Sequence, residues 1–209
     1  MTDFENVIIG AGVVGLAVAR ELSKRGPTLL IEKNKSFGEE ISSRNSEVIH
    51  SGIYYKENSK KAIHCKRGKK LLYEYCQSKS IPHKKIGKLI VCENQSYDRL
   101  LEIFEQGKKN GLDDLKLLEK DEIKDLEPEL ISDYAILSPS TGIIDSHSYM
   151  YSLLTDFEKE DSVVLFKTIV LGINLKQDEI EVKILNPDKS KFSFTAKNVV
   201  VSAGLGTSK

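Results

Sequence analysis

The sequence predicts an α/β protein with a Rossmann-like core and a β-meander. Two observations support this class. A strand, a glycine-rich turn, a helix and a second strand follow one another within residues 5–33. Short β-rich segments separated by polar turns then fill the last fifty residues, which predicts a β-meander followed by one further buried strand.

The first βαβ unit is defined by its hydrophobic pattern. Residues 7–9 form an apolar run that is typical of a buried parallel strand. Apolar residues then recur at helical spacing up to Arg25, with charged side chains on the opposite face. Gly26 and Pro27 end this helix, because proline disfavours helical geometry in the residue before it. Residues 28–32 then form the second strand.

The rest of the chain is predicted to alternate between shorter helices and strands. Residues 34–52 form a polar loop that is too long to be a simple connection. Helices are predicted at residues 59–79, 96–109, 121–126 and 146–159, and strands at 86–92, 134–137, 163–166, 169–175, 180–185, 191–196 and 199–201. We interpret the four strands from 163 to 196 as the meander, and the strand at 199–201 as parallel and buried on both faces.

Composition and charge exclude several classes of protein. The 31 Lys and Arg residues balance 31 Asp and Glu residues, so the chain lacks the positive field that recruits nucleic acid. Its three cysteines include no C-x-x-C pair and the histidines lack ligand spacing, so neither a disulfide framework nor a metal site is predicted. The sequence shows no transmembrane segment and no signal-peptide pattern. We therefore expect a cytoplasmic protein, and peripheral contact with the inner face of a membrane stays open.

The glycine turn has the spacing of a dinucleotide-binding motif. Gly10, Gly12 and Gly15 fit G-x-G-x-x-G between a strand and a helix, an arrangement that places a pyrophosphate against the amides at the helix start. Glu32 ends the second strand, where its carboxylate can accept hydrogen bonds from ribose hydroxyls and repel a 2′-phosphate. The motif thus predicts a dinucleotide other than NADP and leaves NAD and FAD open. The alternative is a glycine turn that only packs the helix on the strand.

The polar loop carries side chains suited to a polar ligand. Hydroxyl and amide groups can donate to phosphate and ribityl oxygens, an arginine adds positive charge, and a glycine allows close approach to a flat ring. These residues are Ser42, Ser43, Arg44, Asn45, Ser46 and Gly52. The alternative is an ordinary polar loop that caps the next helix.

Motifs along nearly the whole chain resemble one family. They are GAGVVG (10–15), SRNSEVIHSGIYY (43–55), LLYEYC (71–76), GKLIV (87–91), EP (127–128), PSTGIID (139–145) and VVVSAGL (199–205). In these motifs the chain resembles the FAD-dependent L-2-hydroxyglutarate dehydrogenases and oxidases, within the D-amino-acid-oxidase-like group.

The resemblance implies a cofactor and the residues that hold it. The cofactor would be FAD, with its pyrophosphate on Gly10, Gly12 and Gly15 and its adenosine ribose on Glu32. The resemblance also implies that the cofactor is lined by Ser43, Arg44, Asn45, Ser46, Ser51, Gly52, Val170, Ala203 and Gly204.

The implied reaction is oxidation of L-2-hydroxyglutarate to 2-oxoglutarate by hydride transfer to flavin N5. His50 would lie beside the isoalloxazine as the catalytic base, and the alternative is a neutral histidine that only shapes the pocket. Tyr54 and Tyr55 would contact the substrate, with Arg44 and Lys56 as further partners for its carboxylates. The electron acceptor stays open between a quinone, oxygen and another carrier.

The resemblance also implies a domain organisation. Residues 1–80 and 143–209 would form a discontinuous FAD-binding domain, and residues 81–142 would be part of an inserted α+β substrate-binding domain. Members of this family are longer, so we expect this chain to lack the C-terminal part of the enzyme. The alternatives are a glycerol-3-phosphate dehydrogenase, another D-amino-acid-oxidase-like oxidoreductase, or a non-catalytic FAD-binding fragment.

Overall fold

The computed structural model of the protein describes residues 2–207, which contain twelve β-strands and five α-helices. The strands are β1 (Phe4–Ile9), β2 (Thr28–Ile31), β3 (Val48–Ile49), β4 (His83–Lys84), β5 (Leu89–Cys92), β6 (Lys116–Glu119), β7 (Tyr134–Leu137), β8 (Gly142–Ile144), β9 (Ser162–Leu165), β10 (Ile169–Leu175), β11 (Ile180–Leu185) and β12 (Lys191–Val201). The helices are α1 (Val13–Ser23), α2 (Lys60–Ser78), α3 (Tyr97–Lys109), α4 (Lys120–Leu126) and α5 (Ser146–Glu158).

The chain divides into two compact units. One contains the residues up to 45 together with those from 146 onward, and the other contains residues 46–145. The predicted domain boundaries lay at 80/81 and 142/143. Residues 46–80, which include α2, therefore cluster with the second unit rather than with the glycine turn.

A six-stranded mixed sheet forms the centre of the first unit. Its strand order is β10-β11-β12-β1-β2-β9. The strands β12, β1, β2 and β9 run parallel, and β10, β11 and β12 are antiparallel neighbours. The predicted α/β, Rossmann-like class is confirmed.

One predicted strand of the meander belongs elsewhere. β9 pairs in parallel with β2 at the opposite edge of the sheet from β10. The reason is the packing of α5, which contacts both α1 and β9 and so places β9 next to β2. The meander therefore consists of β10, β11 and β12 alone.

The two last predicted strands are one continuous strand. β12 pairs antiparallel with β11 over its first half and parallel with β1 over its second half, and Ala196 has partners in both. The two predicted strands, 191–196 and 199–201, left Lys197 and Asn198 between them. Instead, their polar side chains are satisfied across the sheet, since Lys197 Nζ lies 2.9 Å from Glu5 Oε1 and Asn198 Nδ2 lies 3.2 Å from Asn6 Oδ1.

The core of the first unit lies against this sheet. Val7, Leu29 and Ile31 pack with Val182 and Phe194, so the parallel and antiparallel halves share one apolar layer. The helices α1 and α5 pack against each other and against the neighbouring parallel strands. Their buried apolar side chains are Leu16, Ala19, Met150, Leu153, Leu154 and Phe157.

The second unit contains two small antiparallel sheets with strand orders β3-β8-β4 and β5-β7-β6. The predicted strand at 86–92 begins only at Leu89, because Gly87 has a φ of +78° that interrupts the extended backbone. No strand was predicted at β3, β4, β6 or β8. Ile53, Leu100, Leu112, Leu115 and Ile136 form a core cluster of this unit.

Candidate functional site

The glycine turn between β1 and α1 has a geometry that only glycine allows at two positions. Gly10 has a φ of +102°, and a Cβ atom there would lie 2.6 Å from the carbonyl oxygen of Ser202. A Cβ atom on Gly15 would lie 1.8 Å from the carbonyl oxygen of Gly10. The first glycine therefore permits the turn, and the third brings α1 against it.

The amino-terminal end of α1 follows this turn and presents backbone N–H groups. Gly12 is the residue before the helix and has no side chain to cap it, and a Cβ atom there would lie 3.0 Å from Ser42 Oγ. The Val13 N–H donates to Ser42 Oγ at 3.0 Å, and the first intrahelical bond runs from the Leu16 N–H to the Gly12 carbonyl. Helix geometry gives the intervening amides no acceptor within the helix, so this end favours an anion.

Glu32 follows β2 and is held by backbone amides. Its Oε2 accepts a hydrogen bond from the Ala11 N–H and its Oε1 accepts one from the Asn34 N–H, each at 2.8 Å. The residue is buried, with 8% of its surface exposed. A carboxylate can accept about four hydrogen bonds, so lone pairs remain for ribose hydroxyls.

A cavity of about 580 Å³ opens beside the glycine turn, entirely within the first unit. Six residues predicted to contact the cofactor line it: Gly10, Gly12, Glu32, Val170, Ala203 and Gly204. The cavity is also lined by the apolar side chains of Ile9, Ile31, Leu171, Ile173 and Val201. The backbone left uncovered by the glycines suits a pyrophosphate, the buried acid suits a sugar, and the apolar wall suits a flat ring.

Topology explains why these residues meet. Gly10, Glu32 and Ser202 each follow directly on the carboxyl end of a parallel strand, namely β1, β2 and β12, and Thr168 follows shortly after β9. Ligands of open α/β sheets bind at this edge. Ser42, one of the polar-loop residues that the sequence suggested for a polar ligand, also lines the cavity. Asn34, Gly38, Thr168, Gly206 and Thr207 line it and were missing from the predicted site. Their position after parallel strands, or in the polar loop, is the signal that could have found them.

Several predicted residues of the polar loop lie in the same unit but outside the cavity lining. Ser43 Oγ donates to the carbonyl oxygens of Glu39 and Glu40, at 3.0 and 2.8 Å. Asn45 Nδ2 donates to the Ser42 carbonyl at 2.8 Å and to Ser146 Oγ at 3.1 Å. Arg44 is exposed. Ser43 and Asn45 thus shape the loop, whereas Ser42 contacts the helix start. Cofactor contact by Ser43, Arg44 and Asn45 stays a prediction.

The remaining predicted residues belong to the second unit, and a polar network fixes the backbone around them. Ser46 is exposed and Ser51 is buried. Gly52 has a φ of +96°, and its carbonyl accepts from Asn110 Nδ2 at 3.1 Å. The same amide donates to the Tyr55 carbonyl at 2.7 Å.

His50 lies in this segment, and the pKa of its imidazole is lowered. Partial burial lowers the pKa of its imidazole, and the positive charges of Lys88 and Lys61 lower it further. Its backbone carbonyl accepts a weak hydrogen bond from Cys65 Sγ at 3.4 Å. A neutral imidazole is the form that accepts a proton, so the electrostatics suit a general base.

Residues 2–207 provide neither a metal site nor a membrane-spanning helix. No group of three or more His, Cys, Asp or Glu residues in this part of the chain is arranged to hold a metal ion. Cys65, Cys76 and Cys92 are free thiols. None of the helices formed by residues 2–207 combines the length and apolar character needed to cross a membrane.

The glycine turn, the acid after the second strand and the cavity at the carboxyl edge of a parallel sheet define a dinucleotide-binding protein of the Rossmann-like class. The family described as FAD dependent oxidoreductase matches residues 6–209, and the chain belongs to this family. The resemblance found in the sequence is confirmed, and FAD is the cofactor after which the family is named.

Curated relatives share one name. An L-2-hydroxyglutarate dehydrogenase, mitochondrial, from Arabidopsis thaliana is 53% identical over 152 residues, which cover 72% of this chain and 32% of the relative. Proteins of the same name from Pongo abelii and Homo sapiens are 40% and 42% identical, and the matches cover 95% and 85% of this chain. These matches cover 48% and 39% of those two relatives, so the chain spans less than half of their length.

Solved structures share the fold. The dithionite-reduced L-alpha-glycerophosphate oxidase from Mycoplasma pneumoniae with FAD bound has a TM-score of 0.87 and 27% identity, over 96% of this chain and 54% of that one. Glycine oxidase from Geobacillus kaustophilus has a TM-score of 0.85 at 18% identity, over 97% of this chain and 56% of that one, and shows the fold alone.

Proposed function

We propose that this chain binds FAD and forms part of an enzyme that oxidises L-2-hydroxyglutarate to 2-oxoglutarate. The observation that carries the proposal is the Glu32 carboxylate, held by the Ala11 amide of the glycine turn at the edge of the cavity. The substrate is supported by the shared name of the curated relatives.

The residues of the first unit fit FAD. The pyrophosphate would lie on the amino-terminal end of α1, where Gly12 leaves the backbone uncovered. Glu32 would accept hydrogen bonds from the ribose, and the apolar wall around Val170 would hold the adenine. Ala203 and Gly204, which follow β12, would contact the cofactor again. When bound, FAD supplies the acceptor for a hydride from C2 of the substrate.

In the second unit, we assign His50 the role of proton acceptor for the substrate hydroxyl group. Its lowered pKa keeps the imidazole neutral and able to take that proton. Ser46, Ser51 and Gly52 would contact the cofactor, as the sequence predicted. Tyr54 and Tyr55 would contact the substrate.

The proposal keeps three predictions made from the sequence. They concern the domain division, the cellular location and the electron acceptor. The predicted division assigns residues 1–80 and 143–209 to FAD binding and 81–142 to the substrate domain. The predicted location is the cytoplasm, whereas the curated relatives carry the word mitochondrial in their names. The electron acceptor is a quinone, oxygen or another carrier.

Anaerobic flavin reduction tests this function. The purified chain is loaded with FAD and mixed with L-2-hydroxyglutarate, with its D enantiomer as the control. We expect flavin absorbance near 450 nm to bleach with the L form alone. Bleaching by glycerol 3-phosphate instead would favour the activity named for the structural relative from Mycoplasma pneumoniae. Bound flavin that no substrate bleaches would identify a non-catalytic FAD-binding fragment, and failure to bind FAD would refute the proposal.

A further inference from the structure

Two lysine side chains of the second unit are positioned on aromatic rings next to the candidate base. Lys61 Nζ lies 4.6 Å from the centre of the Tyr55 ring, and Lys88 Nζ lies 4.8 Å from the centre of the Tyr54 ring. A cation over an aromatic face is attracted by the ring quadrupole, so each ring orients one ammonium group. The two tyrosines are adjacent in sequence and follow His50 closely, which places both cations around the same short segment.

The positive charges of both lysines influence the pKa values of titratable groups in and around this segment. The charges of Lys88 and Lys61 lower the pKa of His50, after the larger effect of burial. Lys61 also lowers the pKa of Cys65, although burial outweighs it and raises that pKa overall. The positive potential at His50 therefore comes from two separate elements, the first turn of α2 and the residue before β5.

A lysine at position 61 does not stabilise α2, because it lies at the positive, amino-terminal end of the helix dipole. α2 begins at Lys60, has Ser59 as its cap and has no acidic residue in its first turn. Amino-terminal turns favour acidic side chains because the helix dipole is positive there. Two lysines at this end therefore add to a positive potential that the helix itself creates.

Neither ammonium group is paired with a carboxylate of residues 2–207. Within residues 2–207, Lys61 and Lys88 form no salt bridge with a carboxylate. By contrast, Lys70 of the same helix α2 pairs with Glu74, with 3.9 Å between Nζ and Oε1. Two oriented cations without a carboxylate partner, beside a proton acceptor, favour a ligand that carries two negative charges.

We infer that Lys61 and Lys88 select a dicarboxylic 2-hydroxy acid by binding its two carboxylate groups, an inference that rests on the proposed function. A monocarboxylic 2-hydroxy acid has a carboxylate for only one of them. The sequence had suggested Arg44 and Lys56 as the cationic partners. Lys56 lies in the turn before α2, where its backbone carbonyl accepts from the Ser59 N–H at 3.1 Å, and contact of Arg44 or Lys56 with the substrate stays a prediction.

The test measures binding of the keto-acid products, so that it does not depend on turnover. The affinities of 2-oxoglutarate and of 2-oxobutyrate, which lacks the second carboxylate, are measured by calorimetry on the FAD-loaded chain. The variants are Lys61→Met and Lys88→Met, which remove the charge and keep most of the stem. Lys85→Met is the matched control, because Lys85 Nζ lies 4.7 Å from the Tyr73 ring centre but does not perturb the pKa of His50.

We expect each of the first two substitutions to weaken 2-oxoglutarate binding about tenfold, as for loss of a charge-assisted contact. Lys85→Met should leave it unchanged. The preference for 2-oxoglutarate over 2-oxobutyrate should fall in each variant. The His50 ring signals in nuclear magnetic resonance, assigned by their loss in His50→Gln, should titrate at higher pH when 2-oxoglutarate is bound, and circular dichroism checks that each variant is folded.

The outcomes separate this inference from the proposed function. Unchanged 2-oxoglutarate affinity in folded Lys61→Met and Lys88→Met would overturn the inference, as would an equal loss in Lys85→Met or no binding to the unmodified chain. Flavin reduction by L-2-hydroxyglutarate could still succeed in each case, and the proposed function would stand. Conversely, lysine-dependent binding of 2-oxoglutarate without flavin reduction would support the lysine assignment and refute the oxidation.

Discussion

The carboxylate of Glu32 accepts a 2.8 Å hydrogen bond from the backbone N–H of Ala11. This bond joins the end of β2 to the glycine turn after β1, and the second carboxylate oxygen is held by the Asn34 amide. The acid thus has one fixed position at the cavity edge, set by these two backbone amides. Preorganisation of this kind lowers the entropy cost of binding a ligand.

The first prediction concerns Glu32→Gln. The amide of glutamine has only one acceptor oxygen, so its NH₂ group would face one of the two backbone N–H donors. We expect the free energy of unfolding to fall by about 1–3 kcal/mol, as for a buried polar group left unsatisfied. FAD affinity should fall at least tenfold, since the ribose loses a charged acceptor. Urea unfolding without FAD and titration of flavin fluorescence measure the two effects.

Glu5→Gln is the matched control for this prediction. Glu5 pairs with Lys197 at the sheet surface, where the side chain of Lys197 is 64% exposed and that of Glu5 is 36% exposed, and Glu5 does not line the cavity. Exposed pairs contribute about 0–1 kcal/mol, so we expect a small change in stability and none in FAD affinity. Equal FAD affinities for Glu32→Gln and Glu5→Gln would contradict the assigned role of Glu32.

The second prediction compares the same substitution in two helices. In Gly15→Ala the new methyl group would lie 1.8 Å from the Gly10 carbonyl oxygen, so α1 or the turn must move. We expect a loss of about 3 kcal/mol in stability and loss of FAD binding. Gly68→Ala in α2 meets no atom within 4 Å and should stabilise the protein by about 0.5–1 kcal/mol, because alanine favours a helix. Thermal and urea unfolding of both variants test these opposite signs.

Much of the first unit is predictable from the sequence because its signals are local. The apolar run of β1, the glycine spacing and the acid after β2 all lie within residues 4–32. The helices α2 to α5 are likewise predicted to within one residue at each end. Each has apolar residues at helical spacing and residues at its ends that are typical of helix termini.

The rest depends on contacts between distant residues. β3 and β4 have two residues each, which is too short for any alternation to appear. The polar residues inside β12 look like a turn until Glu5 and Asn6 are known to be their neighbours. Lys61 and Lys88 are two of many lysines in the sequence. What distinguishes them is that the rings beneath them, Tyr55 and Tyr54, follow His50 closely, and the sequence does not show this pairing.

The third prediction separates two adjacent serines. Ser42 Oγ accepts the Val13 N–H at the start of α1, whereas Ser43 Oγ donates to carbonyls of its own loop. Ser42→Ala should lower stability by about 1 kcal/mol, as for loss of a helix cap, and should weaken FAD binding. Ser43→Ala should affect FAD binding less, although the resemblance named Ser43. A larger loss of FAD affinity in Ser43→Ala would show that the loop rearranges around the cofactor.

The fourth prediction concerns pH. The pKa of His50 is lowered from the ordinary value of 6.5, first by burial and then by the charges of Lys88 and Lys61. If His50 is the base, kcat/KM for L-2-hydroxyglutarate should fall on acidification with an apparent pKa below 6.5, because protonation removes the acceptor. Lys88→Met removes a like charge, so this acid limb should move to higher pH, whereas Lys85→Met should leave it in place.

Stability gives a second measure of the same titration. At a pH below the unfolded pKa of His50, the unfolded chain takes up a proton that the folded chain resists, so this residue lowers stability as the pH falls. Lys88→Met raises the folded pKa and should therefore reduce this acid-dependent loss, which urea unfolding between about pH 5 and 8 measures. His50→Gln removes the titration altogether. A kinetic limb that persists in His50→Gln would assign the base to another residue and leave His50 with a role in shaping the pocket.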